Sequence, residues 1–160
     1  MAAVPEVLLI DIVKPDNKEL LSRALALLSR RDASRAEFVS KLIAAGYGKS
    51  DVEGAADWCA EQGFLDEARY VEGAARRLSA KYGASRVAQT LRSKGVTEEA
   101  IAEVVPDLKE NELAQARAIW TRKFREPPAD ANARSKQIRY LQSRGFRFEI
   151  IKQVICGTDE

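Results

Sequence analysis

Three stretches of the chain carry one pattern. Leu42-Ile43-Ala44-Ala45-Gly46-Tyr47, Leu91-Arg92-Ser93-Lys94-Gly95-Val96 and Leu141-Gln142-Ser143-Arg144-Gly145-Phe146 each read Leu, three residues, Gly, then an apolar residue. The glycines stand 49 and 50 positions apart, and six residues past each comes an aliphatic side chain: Val52, Ile101 and Ile151. Self-similarity at a period of about fifty predicts a helical repeat array, in which each unit stacks on its neighbours. Such arrays offer extended binding surfaces and seldom enclose a catalytic pocket.

The stretches around the pattern read as helices. Leu21, Ala24, Leu25 and Leu28 recur at helical spacing in residues 18–30. Ser34 with Glu37 three residues later forms a capping box for a helix to about Ala45, where Gly46 suits a left-handed cap. A third helix runs from Ser50 to Gln62. The second unit repeats the order with helices from about Glu67 to Lys81, from Ser85 to Lys94 and from Thr97 to a stop at Pro106. The third has a long helix from about Glu110 to Phe124, one from about Asn132 to Arg144, and a last one to Ile155. The expected fold is therefore all-α, with nine helices in three tandem three-helix repeats forming an elongated array, straight or curved. The expected divisions are an arm at 1–16, repeats at 17–66, 67–109 and 110–156, and a tail at 157–160. Phe38, Trp58, Leu91, Trp120 and Leu141 fall on the apolar stripes and are expected to form the cores.

Composition narrows the chemistry. The chain has no histidine, which removes the commonest general base and metal ligand. Cys59 and Cys156 lie far apart without neighbouring ligand types, so they are expected as reduced thiols packed as small hydrophobes. Glu98 and Glu99 occupy a helix first turn, where the macrodipole explains them. No constellation of acid, base and nucleophile emerges; neither catalysis nor a cofactor, metal or small-molecule substrate is expected. The apolar run Val7-Leu8-Leu9-Ile10 is too short to span a bilayer. It reads as a loose arm or a short strand-like segment of a cytoplasmic, monomeric protein.

The formal net charge of +2 conceals a gradient. Residues 17–66 carry 7 basic and 8 acidic side chains, residues 67–110 carry 8 and 7, and residues 111–152 carry 10 and 4. Such asymmetry suggests an anionic partner for the basic part. Aligned on the Leu-x3-Gly pattern, the middle helix of unit two presents Gln89 outward, flanked by Arg86 and Arg92; unit three presents Arg139, flanked by Lys136 and Gln142. Unit one presents Ser40, Glu37 and Ile43 there. The residue before each glycine follows suit, as Ala45, Lys94 and Arg144. Arg76, Arg77, Lys81, Arg122, Lys123, Arg125 and Arg147 extend the basic character of the last two units. Solvation alone explains many such residues, but recurrence at equivalent positions suggests a strip that meets either DNA phosphates or an acidic protein surface. Tyr70, Tyr82 and Tyr140 are of a type that can stack on bases, with helix packing the plainer role for each.

The run Trp58-Cys59 through Gly63-Phe64-Leu65-Asp66, then Arg69-Tyr70, Lys81-Tyr82-Gly83, Arg86 and Lys94-Gly95-Val96 resembles the RecX family of bacterial RecA regulators. The likeness continues through Phe124, Lys136 and Arg144-Gly145-Phe146 and covers about residues 20 to 155. One departure is Lys81-Tyr82-Gly83-Ala84-Ser85-Arg86-Val87, where the family often has Gly-Tyr-Gly-Pro-x-Arg-Ile. The resemblance implies three tandem three-helix repeats, no catalysis, and binding in the groove of the RecA–single-stranded DNA filament. It further implies interference with strand exchange, ATP hydrolysis or filament growth. A helical-repeat protein that binds DNA directly through its basic face is the other reading of the same residues.

Overall fold

The structure, a computed structural model, describes residues 14–157. The expected strand-like segment at 2–13 and the end of the tail lie outside them. The described residues form eight α-helices and no strand. In chain order these are α1 (Lys18–Arg30), α2 (Arg35–Ala44), α3 (Lys49–Glu61), α4 (Glu67–Ser79), α5 (Ala84–Ser93), α6 (Glu98–Lys123), α7 (Ala131–Ser143) and α8 (Phe148–Cys156). They divide into two compact units, separated between Glu67 and Ala68.

The Leu-x3-Gly pattern is the same helix terminus built three times. At the ends of α2, α5 and α7 the glycines Gly46, Gly95 and Gly145 adopt φ values of 102°, 78° and 84°. This left-handed region is where glycine alone escapes a Cβ clash. The apolar residue after each glycine then donates its amide back to the leucine carbonyl. Tyr47 reaches Leu42 at 3.3 Å, and Val96 reaches Leu91 and Phe146 reaches Leu141 at 3.2 Å. The glycine amides themselves reach Ile43, Arg92 and Gln142 at 2.9–3.0 Å. Orphan carbonyls are thereby satisfied in the manner of a Schellman cap. The leucine and the apolar residue meet in one core each time, and Val52, Ile101 and Ile151 are buried beneath them.

In the first unit, α1, α2 and α3 enclose a core of Leu20, Ala24, Phe38, Leu42, Val52 and Cys59. Each fully buried large aliphatic or aromatic side chain contributes about 1.5–3 kcal/mol relative to exposure. Ser34 caps α2 by accepting the Glu37 amide at 3.1 Å, as the capping box predicts. Cys59 is buried and free, and its burial pushes the thiol above its ordinary range; Cys156 is free and exposed.

The second unit holds two further cores, and it corrects the expected count of nine helices. The stop expected at Pro106 is absent: α6 runs without a break through 26 residues. The proline costs one backbone hydrogen bond and crowds the preceding turn. Burial at both ends of the helix outweighs that cost. Ile101, Val104 and Leu108 pack into the core of Tyr70, Val71, Val87 and Leu91. Leu113, Ala116, Ile119 and Trp120 pack into the core of Leu141, Phe146, Ile151 and Val154. The boundary expected between residues 109 and 110 falls inside this shared helix.

Candidate functional site

Glycine at two positions brings the second and third sets of helices together. Gly83 precedes α5 and Gly145 follows α7, and their backbones touch. A Cβ on Gly83 would stand 2.6 Å from the Gly145 carbonyl carbon and 2.8 Å from the Phe146 nitrogen. A Cβ on Gly145 would stand 2.5 Å from the Cβ of Arg86. Close approach lets each set satisfy the other's helix ends. The Gly83 amide donates to the Arg144 carbonyl at 2.8 Å, and the Arg86 guanidinium donates to the Ser143 carbonyl. In the other direction the Arg122 guanidinium donates to the Ala80 carbonyl, just past α4, at 3.1 Å. Cations at carbonyl ends also complement the helix macrodipole.

This junction opens into a cleft of about 540 Å³ lined by Lys81, Tyr82, Arg122, Lys123, Tyr140 and Arg144, with Ala80 and Ile119. Cations crowd its two tyrosines. Arg86 lies 4.5 Å and Arg144 5.6 Å from the Tyr82 ring centroid. Arg144 also lies 5.2 Å from the Tyr140 centroid and Lys123 5.5 Å from it. Phe124 meets Tyr140 edge to face with centroids 5.3 Å apart. Each cation–π contact contributes about 0.5–2 kcal/mol, rising with desolvation. No carboxylate lines the cleft.

The remaining basic residues go elsewhere. Arg92 forms a two-pronged ion pair with Glu98, with Nη2 3.0 Å from Oε2. That hydrogen bond holds the Glu98 carboxyl below its ordinary range and the guanidinium above its own. Arg147 covers Glu112, donating to Oε2 at 3.2 Å, while Oε1 of that buried carboxylate has no hydrogen-bond partner. Arg76 lines a separate groove with Glu72 and Asp107. Arg125 takes a positive φ of 66° at the exit of α6. Arg77, Lys94, Lys136 and Arg139 are exposed outside the cleft. The outward strip read from helical wheels thus separates: Arg86 and Arg144 meet at the junction, whereas Lys136 and Arg139 do not line it.

Sequence reasoning gave Tyr82 and Tyr140 a packing role, and both are indeed half-buried against the apolar cores. It did not find that they organise the cations. Nor did it find Gln137, which accepts from the Trp120 indole at 2.8 Å and donates to the Glu126 carbonyl at 3.2 Å. Among the described residues no group of three His, Cys, Asp or Glu is placed to hold a metal ion, and no helix is long and apolar enough to cross a membrane.

Comparison with known proteins agrees with this architecture. A family model described as the second three-helix domain of RecX matches residues 66–105, and one described as the third matches residues 110–155. The Regulatory protein RecX of Ralstonia pickettii is 36% identical over 141 residues, covering 88% of this chain and 89% of its own. That of Leptothrix cholodnii is 38% identical over 140 residues, with 88% and 89% covered. The chain belongs to the RecX family. Its fold is also that of the crystal structure of RecX from Lactobacillus salivarius, with a TM-score of 0.74 at 16% identity and coverage of 88% and 95%. The RecX relatives are named as regulatory proteins, and the tandem three-helix domains are the family's own. The cleft lies where the second and third of these domains adjoin.

Proposed function

We propose that this chain regulates the RecA recombinase in the cytoplasm, as a monomer, by binding in the groove of the RecA–single-stranded DNA filament. Bound there it inhibits strand exchange, ATP hydrolysis and filament extension. Membership of the RecX family carries this reading. The structure adds a reason why binding is the mode of action: three tandem helix sets, taken as residues 17–66, 67–109 and 110–156, supply several modest contacts on one chain. Tethered contacts reinforce one another through effective concentration without any single large hot spot. The carboxylate-free cleft at the junction is suited to an anionic element of the filament.

Titration of the chain into a RecA ATPase assay on single-stranded DNA tests the proposal. Hydrolysis and strand exchange should fall at amounts well below one chain per RecA. Unchanged rates at equimolar chain would refute it.

A further inference from the structure

The exit of α6 departs from the pattern of the chain's other helix ends. Gly46, Gly63, Gly95 and Gly145, just past α2, α3, α5 and α7, take positive φ values where the lack of a Cβ removes the clash. Arg125 takes φ 66° in the same place past α6, and it is the one non-glycine residue to do so among the described residues. The Glu126 amide closes a three-residue turn around it by donating to the Phe124 carbonyl at 2.8 Å. With a positive φ at its centre, this is the rarer and strained form of such a turn.

The strained turn is held from both sides. Phe124 donates its amide to the Trp120 carbonyl at 2.8 Å and sets its ring edge to face with Tyr140. Buried Gln137 fixes the other side: Nε2 donates to the Glu126 carbonyl at 3.2 Å while Oε1 accepts from the Trp120 indole. A buried amide is thus committed to ordering a surface turn. What the turn presents is the Arg125 side chain, which is exposed and has no hydrogen bond, ion pair or ring contact among the described residues. Nothing inside the chain offsets the strain of an arginine here, and strain of this kind gathers where a side chain has to be aimed.

We infer that Arg125 is a specificity-determining contact, aimed by Gln137 and Phe124 at an Asp or Glu carboxylate on the protein surface of the filament. The inference rests on the RecA reading and names a contact within it. Orientation favours a carboxylate over a DNA phosphate. Phosphates are met through charge, which a flexible side chain supplies from a relaxed backbone. A carboxylate takes the planar guanidinium in a two-pronged geometry, as Glu98 takes Arg92 within this chain. A side chain already held in one direction loses less freedom in making that fork.

The test is the RecA ATPase titration on single-stranded DNA, run with the full chain and its variants. Arg125→Lys keeps the charge and removes the fork, so the half-inhibitory concentration should rise about fivefold or more. Arg117→Lys, the same exchange at an exposed position of the same helix, should change it less than about twofold. Arg125→Gly should lose inhibition to at least the same degree while raising the thermal midpoint, because glycine relieves the turn. Gln137→Met should weaken inhibition in the parent and add nothing to Arg125→Gly, since it then has no side chain to aim. General damage to the fold would not give that non-additivity. Circular dichroism verifies that the helices persist; if Gln137→Met does not fold, Arg125→Lys decides alone. Full inhibition by Arg125→Lys would overturn the inference. So would a thermal midpoint that does not rise in Arg125→Gly. A loss of affinity for oligothymidylate without RecA, matching the loss of inhibition, would overturn it too and assign Arg125 to phosphate. A parent chain that inhibits no better than its Arg125 variants refutes this inference alone, whereas a parent that leaves hydrolysis unchanged refutes the RecA reading and this contact with it.

Discussion

The amide of Gly83, at the entrance to α5, donates to the carbonyl of Arg144, at the exit of α7, across a backbone contact too close for any side chain. That one bond joins two sets of helices and places the side chains of Tyr82, Arg86 and Arg144 together.

Gly83→Ala should therefore be destabilising although alanine favours helices. Its Cβ meets backbone atoms that cannot turn aside, and overpacking of this kind costs about 1–3 kcal/mol. Urea unfolding followed by circular dichroism measures the loss. A variant as stable as the parent would show that the backbones separate freely.

Arg147→Ala should leave the Glu112 carboxylate buried without its cation. Removing one member of a buried pair costs about 3–5 kcal/mol, and the half-exposed arginine lowers the expectation to about 1–3 kcal/mol. Adding Glu112→Leu to that variant should recover most of the loss, since an apolar side chain needs no partner. If the double variant were less stable than Arg147→Ala alone, the carboxylate would have a further role in the core.

Pro106→Ala should stabilise the second unit. The proline interrupts the hydrogen-bonded ladder of α6 at an exposed position, and its replacement restores a donor at a gain of about 1–3 kcal/mol. A lower thermal midpoint would mean that the proline sets a bend the cores require.

Glu98 should titrate below an ordinary glutamate, because the Arg92 guanidinium hydrogen-bonds its charged form. A carboxyl depressed in the folded state stabilises the fold above its unfolded pKa, and that contribution disappears as pH falls through the folded value. Arg92→Ala should move the Glu98 titration upward, as followed by carboxyl carbon NMR, and make unfolding less dependent on acid. A Glu98 titration that does not move would show that the pair does not form in solution.

Legibility in the sequence followed the range of the interaction. Cap chemistry is local, so Leu42 to Tyr47 and its two counterparts announced three helix ends with their conformations. Ser34 and Thr97 announced two beginnings for the same reason. Pro106 misled because its local cost is real, whereas the burial that overrides it lies in two cores on either side. The burial of Glu112 is not legible in the sequence, because nothing near it in the chain shows Arg147 covering it. The cations of the cleft were visible singly, as residue types. Their convergence depends on Gly83 touching Gly145, a contact across 62 positions that no periodicity encodes.

The shared helix α6 also constrains how such a chain can change in length. A loop absorbs an added residue; a helix embedded in two cores cannot. One insertion between Leu108 and Glu112 would turn everything beyond it by about 100° and advance it about 1.5 Å. Gly145 would then swing off Gly83, and the cations of the two sets would no longer face one cleft. The stretch between the cores therefore works as a phase spacer: its residues can be exchanged, but their number cannot.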